Sequence, residues 1–330
     1  MNKNSLWYMV WYFKKNKLNK LPFLFILLLS ISSCGNPDES NEIKPGIELM
    51  VLGTVQDAGS PQIGCKKKCC AQLLANGLTE RMVVSLGAID HISKTQYLFE
   101  ATPNLSMQLS NMQRVSGFSS MPDGIFITHA HIGHYTGLMY LGKEAMNGDS
   151  IKVYSMDRMG TFLNSNGPWN QLVSNGNIDL HTMRKNKELV LNKRLSITPF
   201  LVPHRDEYSE TVGFTIKGPN KSALFIPDID KWSKWEEDIV KEIEKVDYAF
   251  IDGTFFSGEE IEHRDISEIP HPFIQESMTL FENLNKVEKA KIYFIHFNHT
   301  NPVLDPNSKA SKEILKRGFK LARKNNRFAL

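Results

Sequence analysis

The sequence feature that most constrains the fold is a cluster of histidines near the middle of the chain. Three of the ten histidines, His129, His131 and His134, lie within six residues, directly after the apolar run 124–128. Alternate side chains at a strand end point the same way, and a residue at the start of a following helix can reach the same space. Without a metal, three neighbouring imidazoles would leave unpaired nitrogens or repel each other when protonated. The cluster therefore predicts a metal site at the end of a buried strand, with zinc or iron as suitable ions.

Short apolar runs separated by helical patterns predict an α/β fold. The predicted strands are 47–54, 96–100, 124–128, 151–155, 195–202, 212–217, 223–227, 248–252 and 292–297. Helices are predicted over 231–246, where Trp232 and Trp235 fall on the apolar face, and around 309–323. No repeat or second linker interrupts residues 47–330, so we predict one domain with two packed sheets flanked by helices.

The histidine cluster also resembles a known signature. The block 128–134 is similar to the H-x-H-x-D-H signature of the metallo-β-lactamase fold superfamily, with Gly133 in the position of the aspartate. This resemblance implies an α/β four-layer αββα sandwich and three further ligands. His204 would complete the first metal site, Asp228 would supply a carboxylate that can bridge two metals, and His296 would belong to the second site.

A closer resemblance links the chain to the pyrroloquinoline quinone biosynthesis protein B family. It rests on the glycine-containing segment 51–62, the cysteine cluster 65–70 and the block 296–302, and it covers residues 47–323. That pathway acts on a cytosolic peptide, whereas this chain carries an export signal, described below. The resemblance is therefore not carried over to the pathway.

Gly133 departs from the superfamily signature because it offers no ligand atom. We therefore expect one tightly held zinc ion, bound by the first-site residues His129, His131, His204 and Asp228. The second site keeps three ligands, and we expect it to be weak: Asp228, His134 and His296. An aspartate introduced at position 133 is expected to raise the metal count toward two.

The chemistry expected of this site is hydrolysis. Water activated by a metal can attack an ester, lactone, amide or phosphodiester of a small molecule. Asp228 is the expected group that orients this water or shuttles its proton, and His134 and His296, without a second metal, are expected to act as general acids or oxyanion donors. Two alternatives remain open: a metal-binding protein without catalysis, which Gly133 motivates, and an iron-dependent oxygenase.

The cysteines Cys65, Cys69 and Cys70 form a second cluster. The family resemblance suggests a structural zinc site here, but the C-x-x-x-C-C spacing is unusual and the sequence shows no fourth ligand. In an oxidising compartment, a disulfide within the cluster is an equal alternative.

Four further residues are predicted to contact the substrate. Asn298, His299 and Asn301 lie in the block that the family resemblance covers, and His271 lies in a rigid loop between two prolines. The simpler interpretation of His271 is an exposed loop residue. Asp252, at a strand end, either holds a ligand imidazole or caps a turn before glycine.

The N-terminal residues predict export. An apolar run, 21–32, follows a lysine-rich stretch and is too short for a permanent membrane span. It leads into Cys34 through a sequence that resembles the lipobox of bacterial lipoproteins; a secretory signal with an incidental cysteine is the alternative. We predict a lipoprotein signal peptide over 1–33, lipid on Cys34 and a flexible tether over 34–46, which would anchor the protein to a membrane of the cell envelope.

The charge of the chain argues against nucleic acid as a partner. The net charge is +3, but residues 1–33 hold five lysines and no acid, which leaves 34 basic against 36 acidic residues in the remainder. A nucleic-acid surface requires a basic excess that this remainder lacks. A small molecule is therefore the expected substrate, and the oligomeric state stays open.

Overall fold

The computed structural model describes residues 46–77, 81–261 and 268–330, and two mixed β-sheets form the centre of this part. The predicted signal peptide, Cys34 and the tether up to residue 45 lie outside the described residues. Among the described residues, no helix has both the length and the apolar character needed to cross a bilayer.

The first sheet contains seven strands of the described chain. These are β1 (Ile47–Gly53), β2 (Ser85–Asp90), β3 (Thr95–Phe99), β4 (Gly124–Phe126), β5 (Ile151–Ser155), β6 (Ile178–Thr182) and β14 (Arg327–Ala329). Their order is β14-β1-β2-β3-β4-β5-β6. The pairs from β14 to β3 are antiparallel, and those from β3 to β6 are parallel.

The second sheet has the same number of strands in the described chain and a similar mixed pattern. These are β7 (Leu189–Val190), β8 (Ser196–Leu201), β9 (Val212–Lys217), β10 (Ser222–Ile226), β11 (Tyr248–Asp252), β12 (Ile292–Ile295) and β13 (Lys320–Leu321). Their order is β13-β12-β11-β10-β9-β8-β7. Pairs between β7 and β10 are antiparallel, and pairs between β10 and β13 are parallel.

Helices cover the outer faces of the sheets. The helices of the described chain are α1 (Lys68–Ala75), α2 (Leu105–Ser116), α3 (Ile132–Tyr135), α4 (Asp157–Ser165), α5 (Trp169–Ser174), α6 (Ile239–Glu244), α7 (Ile274–Leu280), α8 (Lys286–Lys291) and α9 (Lys309–Lys316). Leu98 and Ile125, on the outer face of the first sheet, pack with Leu105 of α2 and Met159 of α4. Ile251, on the outer face of the second sheet, packs with helices including α7 and α9.

Aromatic side chains fill the space between the two sheets. Phe99 and Phe126 of the first sheet lie with ring centroids 5.6 and 5.9 Å from that of Phe214 in the second sheet. Because strand residues alternate between faces, Leu98 and Ile125 point outward where Phe99 and Phe126 point inward. Full burial of one such phenyl ring stabilises the fold by about 1.5–3 kcal/mol. The resulting order of layers, helix–sheet–sheet–helix, is the predicted αββα sandwich.

Two predicted helices differ from the observed elements. The segment 231–246 forms a 3-10 turn, Trp232–Lys234, and then α6, and Trp235 between them is extended. Its indole Nε1 donates to the Leu201 carbonyl oxygen at 2.9 Å, which holds this extended stretch against β8. The C-terminal helix, predicted around 309–323, ends at Lys316 because Gly318, with φ +95°, turns the chain into β13.

Most predicted strands form near their expected bounds, but β2 and β6 had no apolar signal strong enough to predict them. β2 reads Ser-Leu-Gly-Ala-Ile-Asp, and all six residues are buried. Small residues there give little β-propensity, so neighbouring strands on both sides, β1 and β3, determine its conformation.

Candidate metal centre

The predicted first-site residues follow strands of both sheets and lie close together. His129 and His131 follow β4, His204 follows β8 and Asp228 follows β10. Their ligand atoms all lie within 4.8 Å of one another. His129 and Asp228 are buried, and His131 and His204 are partly buried. The geometry therefore joins, around one point, four side chains that are distant in sequence.

The atoms that face this point have no hydrogen-bond partner among the described residues. They are His129 Nε2, His131 Nδ1, His204 Nε2 and Asp228 Oδ1. His204 Nε2 lies 3.2 Å from Asp228 Oδ1, and His129 Nε2 lies 3.5 Å from Asp228 Oδ2. Ligand atoms bound to a tetrahedral zinc ion at about 2.0–2.2 Å lie roughly 3.3 Å apart. Three imidazoles and one carboxylate at these separations therefore fit a divalent cation.

Two of these imidazoles are fixed through their other ring nitrogen. His129 Nδ1 lies 2.8 Å from Thr128 Oγ1, and His131 Nε2 lies 3.3 Å from Glu207 Oε2. Contacts of this kind orient a ligand ring and determine which nitrogen faces the metal.

The charges in the site suit a cation. Burial alone would raise the pKa of Asp228, but the surrounding imidazoles, led by His204 and His271, outweigh it and hold this pKa well below its usual range. Burial, and after it the neighbouring His134, hold the pKa of His129 well below its usual range. Burial also lowers the pKa of His131. The carboxylate is thus ionised and these two imidazoles are neutral at pH 7, which are the forms that bind metal.

His134 and His296 lie beside the first set together with a residue that the sequence did not reveal, Asp57. Asp57 Oδ1 lies 2.9 Å from His134 Nε2 and 3.9 Å from His296 Nε2. Burial would raise the pKa of Asp57, but His134 and His296 lower it well below its usual range. Asp57 comes from the loop after β1, far upstream of the histidine cluster, so no local spacing could have found it.

Gly133 and Asp57 occupy adjoining space. A Cβ added at Gly133 would lie 2.3 Å from Asp57 Oδ1 and 2.4 Å from Asp57 Cα, so no side chain fits there. The expectation that an aspartate at position 133 would simply add a ligand is therefore wrong, because that aspartate would collide with the backbone of residue 57.

His134 and His296 are each held from behind by a buried residue. Glu100 Oε1 lies 3.1 Å from His134 Nδ1, and Thr254 Oγ1 lies 2.8 Å from His296 Nδ1. Burial would lower the pKa of His134, but Glu100 and Asp57 raise it well above its usual range. Glu100 and His296 adopt φ values of +75° and +67°, which a non-glycine residue adopts only at a cost of order 1 kcal/mol. The backbone is thus strained at two residues of the site.

His271 and Asp252 form a buried pair next to Asp228. His271 is 6% exposed, so its interpretation as an exposed loop residue is wrong. Its Nδ1 lies 2.9 Å from Asp252 Oδ2 and 3.2 Å from Asp228 Oδ1. Burial would lower the pKa of His271, but Asp252 and Asp228 raise it to about 10. Asp252 also accepts hydrogen bonds from the backbone N–H and Oγ1 of Thr254, so it both caps a turn and orients an imidazole.

Two asparagines in the block after His296 make internal hydrogen bonds. Asn301 is buried, its Nδ2 donates to the carbonyl oxygens of Gly253 and Thr254, and its Oδ1 accepts from Val303 N–H. These hydrogen bonds give Asn301 a structural role, and its predicted contact with substrate stays a prediction. Asn298 is also buried, and its Oδ1 lies 2.9 Å from His299 Nδ1.

His299 lies with the cysteine cluster. Its ligand atom and the thiols of Cys65, Cys69 and Cys70 are all within 4.8 Å of one another. These three cysteines carry no disulfide, and the Cys69 and Cys70 sulfur atoms are 3.9 Å apart. The structure thus offers the fourth ligand that the sequence did not show. His299, expected to contact substrate, lies where it can complete a Cys3His site.

A cleft of about 510 Å³ opens beside the buried His271–Asp252 pair. It is lined by Gln56, Arg205, Asp230, Phe255, Glu268, Ile269, Pro270 and His271. Its walls combine apolar side chains with one cation and two carboxylates, a combination that suits a small molecule with an apolar body and polar groups.

The chain resembles proteins of one fold family. A family model described as "Beta-lactamase superfamily domain" matches residues 95–297. Among relatives by sequence, the "Coenzyme PQQ synthesis protein B" of Acinetobacter baumannii (strain ACICU) is 22% identical over 302 residues, covering 84% of this chain and 97% of the relative. The protein of that name from Gluconobacter oxydans (strain 621H) is 25% identical over 309 residues, covering 86% and 99%.

Solved structures with the same fold include two that cover nearly all of the described chain. Zn(2+)-bound PqqB from Methylobacterium extorquens superposes with a TM-score of 0.70 at 19% identity, covering 86% of this chain and 100% of that one. A diphosphatase from the PhnP family has a TM-score of 0.63 at 19% identity, covering 86% and 97%. These likenesses confirm the predicted four-layer αββα sandwich.

Proposed function

Because the chain belongs to the beta-lactamase superfamily domain family, we propose that it is a metal-dependent hydrolase that uses its buried histidine–aspartate centre. The observation that carries the proposal is the set of unpaired, buried ligand atoms from His129, His131, His204 and Asp228. A buried polar atom without a partner costs about 1–3 kcal/mol. A fold that buries several such atoms facing one point is explained by a cation at that point, for which we propose zinc.

The chemistry that a bound zinc ion supplies is a water whose pKa falls from about 15.7 to near 7, together with polarisation of the bond under attack. The protein's own residues position the other participants. Asp228, ionised and within 3.2 Å of both His204 Nε2 and His271 Nδ1, can accept a proton from this water or orient it. Substrates of this chemistry are esters, lactones, amides and phosphodiesters.

His271 is the best-placed proton donor for a leaving group. It lines the cleft, and Asp252 holds its Nδ1, so its Nε2 is directed away from that carboxylate. A histidine supported by a buried aspartate donates a proton in a defined direction. Arg205 also lines the cleft, where its cation stands with the carboxylates of Asp230 and Glu268 as polar groups that a substrate can contact.

The test uses the full chain purified in detergent. We expect bound zinc by elemental analysis and turnover of at least one member of a panel of lactones, phosphodiesters, carboxylic esters and β-lactams. His131→Ala should lower the metal count by one and abolish this turnover. His181→Ala is the matched control, because His181 contacts Asp179 and lies outside the centre. An unchanged metal count in His131→Ala would contradict the proposal.

The same measurements separate the two alternative functions. Bound metal without turnover on any member of the panel would support a silent metal-binding protein. Iron retained under anaerobic purification, together with oxygen uptake, would support an oxygenase. Zinc as the retained ion would count against that reading.

A separate structural zinc ion is proposed at Cys65, Cys69, Cys70 and His299. Three thiols and one imidazole within 4.8 Å of one another are a common ligand set for structural zinc. His299 Nδ1 contacts Asn298, which leaves Nε2 for the metal. Cobalt substitution tests the site, because cobalt–thiolate absorption should appear in the wild type and fall in Cys65→Ser. A disulfide found by mass spectrometry under non-reducing conditions would contradict it.

A further inference from the structure

The loop after β1 brings a carboxylate into the space beside Gly133. A Cβ added at Gly133 would lie 2.3 Å from Asp57 Oδ1 and 2.4 Å from Asp57 Cα. Asp57 therefore fills the volume in which a side chain at position 133 would lie. Asp57 also approaches His134, the neighbour of Gly133 in sequence, at 2.9 Å. A carboxylate is thus present beside His134, although it comes from another segment of the chain.

Ligand atoms of Asp57, His134 and His296 lie within 4.8 Å of one another at a second point next to the first, and Asp228 approaches the two histidines of this group. Asp57 Oδ1 lies 2.9 Å from His134 Nε2 and 3.9 Å from His296 Nε2, and Asp228 Oδ2 lies 3.8 Å from each of the two nitrogens. These distances bracket the separation of roughly 3.3 Å expected between ligands of one tetrahedral zinc ion. Asp228 stands between the two groups: Oδ1 lies 3.2 Å from His204 Nε2, and Oδ2 lies 3.5 Å from His129 Nε2 of the first set and 3.8 Å from both nitrogens of the second.

The atoms face a common point without satisfying one another. Asp57 Oδ1, His134 Nε2 and His296 Nε2 are all buried and lack a hydrogen-bond partner among the described residues, even though two of them are only 2.9 Å apart. The contact is close enough for a hydrogen bond but is not aligned for one. Both histidines are completely buried, and their other nitrogens are occupied by Glu100 and Thr254.

We propose that Asp57 replaces the carboxylate ligand that Gly133 lacks, and that Asp57, His134, His296 and Asp228 bind a second divalent metal next to the first. This inference rests on the proposed function, because Asp228 bridges the two positions. The added negative charge offsets part of the repulsion between two adjacent cations. Because Gly133 has no side chain, it leaves the space that the Asp57 carboxylate occupies.

The first experiment counts metals in Asp57 variants of the full chain in detergent. Zinc is titrated against a competing chelator, and the count is read by native mass spectrometry and elemental analysis. Relative to wild type, Asp57→Ala should lose one zinc ion or bind it more than about 100-fold more weakly, since changing even an outer partner of a ligand costs 10–100-fold. Asp57→Asn, which keeps the shape and one oxygen, should weaken the same ion less. Asp179→Ala, an exposed acid paired with His181, is the matched control and should bind as wild type does.

The second experiment changes no ligand at all. Gly133→Ala adds only a methyl group, but this group would occupy the position of Asp57 and push the loop away from His134. We expect it to weaken the second zinc ion while the first remains bound. If Asp57 merely forms an ion pair with His134, neither Asp57→Asn nor Gly133→Ala should change the metal count.

The outcomes separate this inference from the proposed function. Loss of one zinc ion in folded Asp57→Ala and a different one in His131→Ala supports both. Wild-type stoichiometry and affinity in folded Asp57→Asn and Gly133→Ala, with His131→Ala still losing zinc, overturns the second site alone. If His131→Ala changes nothing, the proposed function fails at its first metal. Circular dichroism establishes that each variant is folded, and Asp57→Asn keeps the test valid if Asp57→Ala is not.

Discussion

At the scale of single residues, the sequence predicted those site residues that lie in a recognisable local motif and missed those that do not. His129, His131 and His134 are visible from spacing alone, and His204, Asp228 and His296 from resemblance to known ligand blocks. Asp57 lies within the segment 51–62 that carries the family resemblance, but it was missed because that resemblance assigned no ligand there and the loop is far from the histidine cluster in sequence. The simpler interpretation of His271 as an exposed loop residue was wrong because its proline-flanked loop folds inward onto Asp252, and its predicted contact with substrate stays a prediction.

Asn301 provides a test of structural against substrate-binding roles. Asn301→Ala would leave the carbonyl oxygens of Gly253 and Thr254 and the N–H of Val303 without their side-chain partner in a buried place. We expect the free energy of unfolding to fall by about 2–4 kcal/mol. Urea denaturation measures this, with the exposed Asn307→Ala as control. A raised KM with unchanged stability would instead support the substrate contact.

Glu260 makes stability depend on pH. Burial raises its pKa from the usual 4.5 to about 7, although it accepts hydrogen bonds from the N–H groups of Phe256 and Ser257. The folded state therefore holds this proton more tightly than the unfolded state, so stability falls as pH rises from 4.5 to 7 and then levels off. Glu260→Gln should remove this loss and gain on the order of 2–3 kcal/mol at pH 8 but little near pH 4.5.

Urea denaturation of the wild type and Glu260→Gln at pH 4.5 and pH 8 checks this sign. The neighbouring exposed Glu259→Gln serves as control, because it changes the same formal charge outside the buried position. An equal effect of Glu260→Gln at both pH values would show that the carboxyl group is not the titrating cause.

At the scale of elements, strands were predicted better than helices. A long apolar run such as β1 is recognisable from its composition alone, and all seven of its positions are buried. β2 mixes Leu86 and Ile89 with small or polar residues, and its conformation comes from its two neighbours. Periodicity over 231–246 correctly placed Trp235 in the core but overlooked Asp238, which accepts a hydrogen bond from Val240 N–H and starts α6 there. Side-chain caps and indole contacts thus decided boundaries that an apolar stripe could not.

The start of α6 yields a prediction of its own. Asp238→Ala removes the N-cap and should lower the free energy of unfolding by about 1 kcal/mol. Glu237→Ala removes the same charge from the preceding exposed residue without touching the cap, so it should have a much smaller effect. Thermal or urea denaturation compares the two variants, and equal losses would mean that charge rather than capping is responsible.

At the scale of the whole molecule, the proposed lipid anchor determines where the chemistry takes place. Residues 1–45 lie outside the described structure, so the anchor remains a prediction from the sequence around Cys34. More than one acyl chain on one residue holds a protein stably on a membrane, whereas a single chain is marginal. The proposed hydrolase would then act on substrates in the cell envelope.

Cys34→Ala tests this placement. In a bacterial host that processes lipoproteins, the wild type should sediment with membranes and carry lipid on Cys34 by mass spectrometry. The variant should lose the lipid and move mainly to the soluble fraction of the envelope. Cys65→Ala, a cysteine of the folded domain, controls for the loss of a thiol. Lipid-free wild-type protein would leave the secretory-signal alternative.

The tight fit of Asp57 against Gly133 has a consequence for how such a chain can change over time. Position 133 cannot acquire a carboxylate while the backbone of residue 57 stands 2.4 Å from its Cβ, and residue 57 cannot lose its carboxylate without emptying one side of the centre. The residue that is tolerated at either position therefore depends on the residue at the other. A change from glycine to aspartate at position 133 would first require the loop that carries Asp57 to move away, so an intermediate protein would lack both carboxylates beside His134.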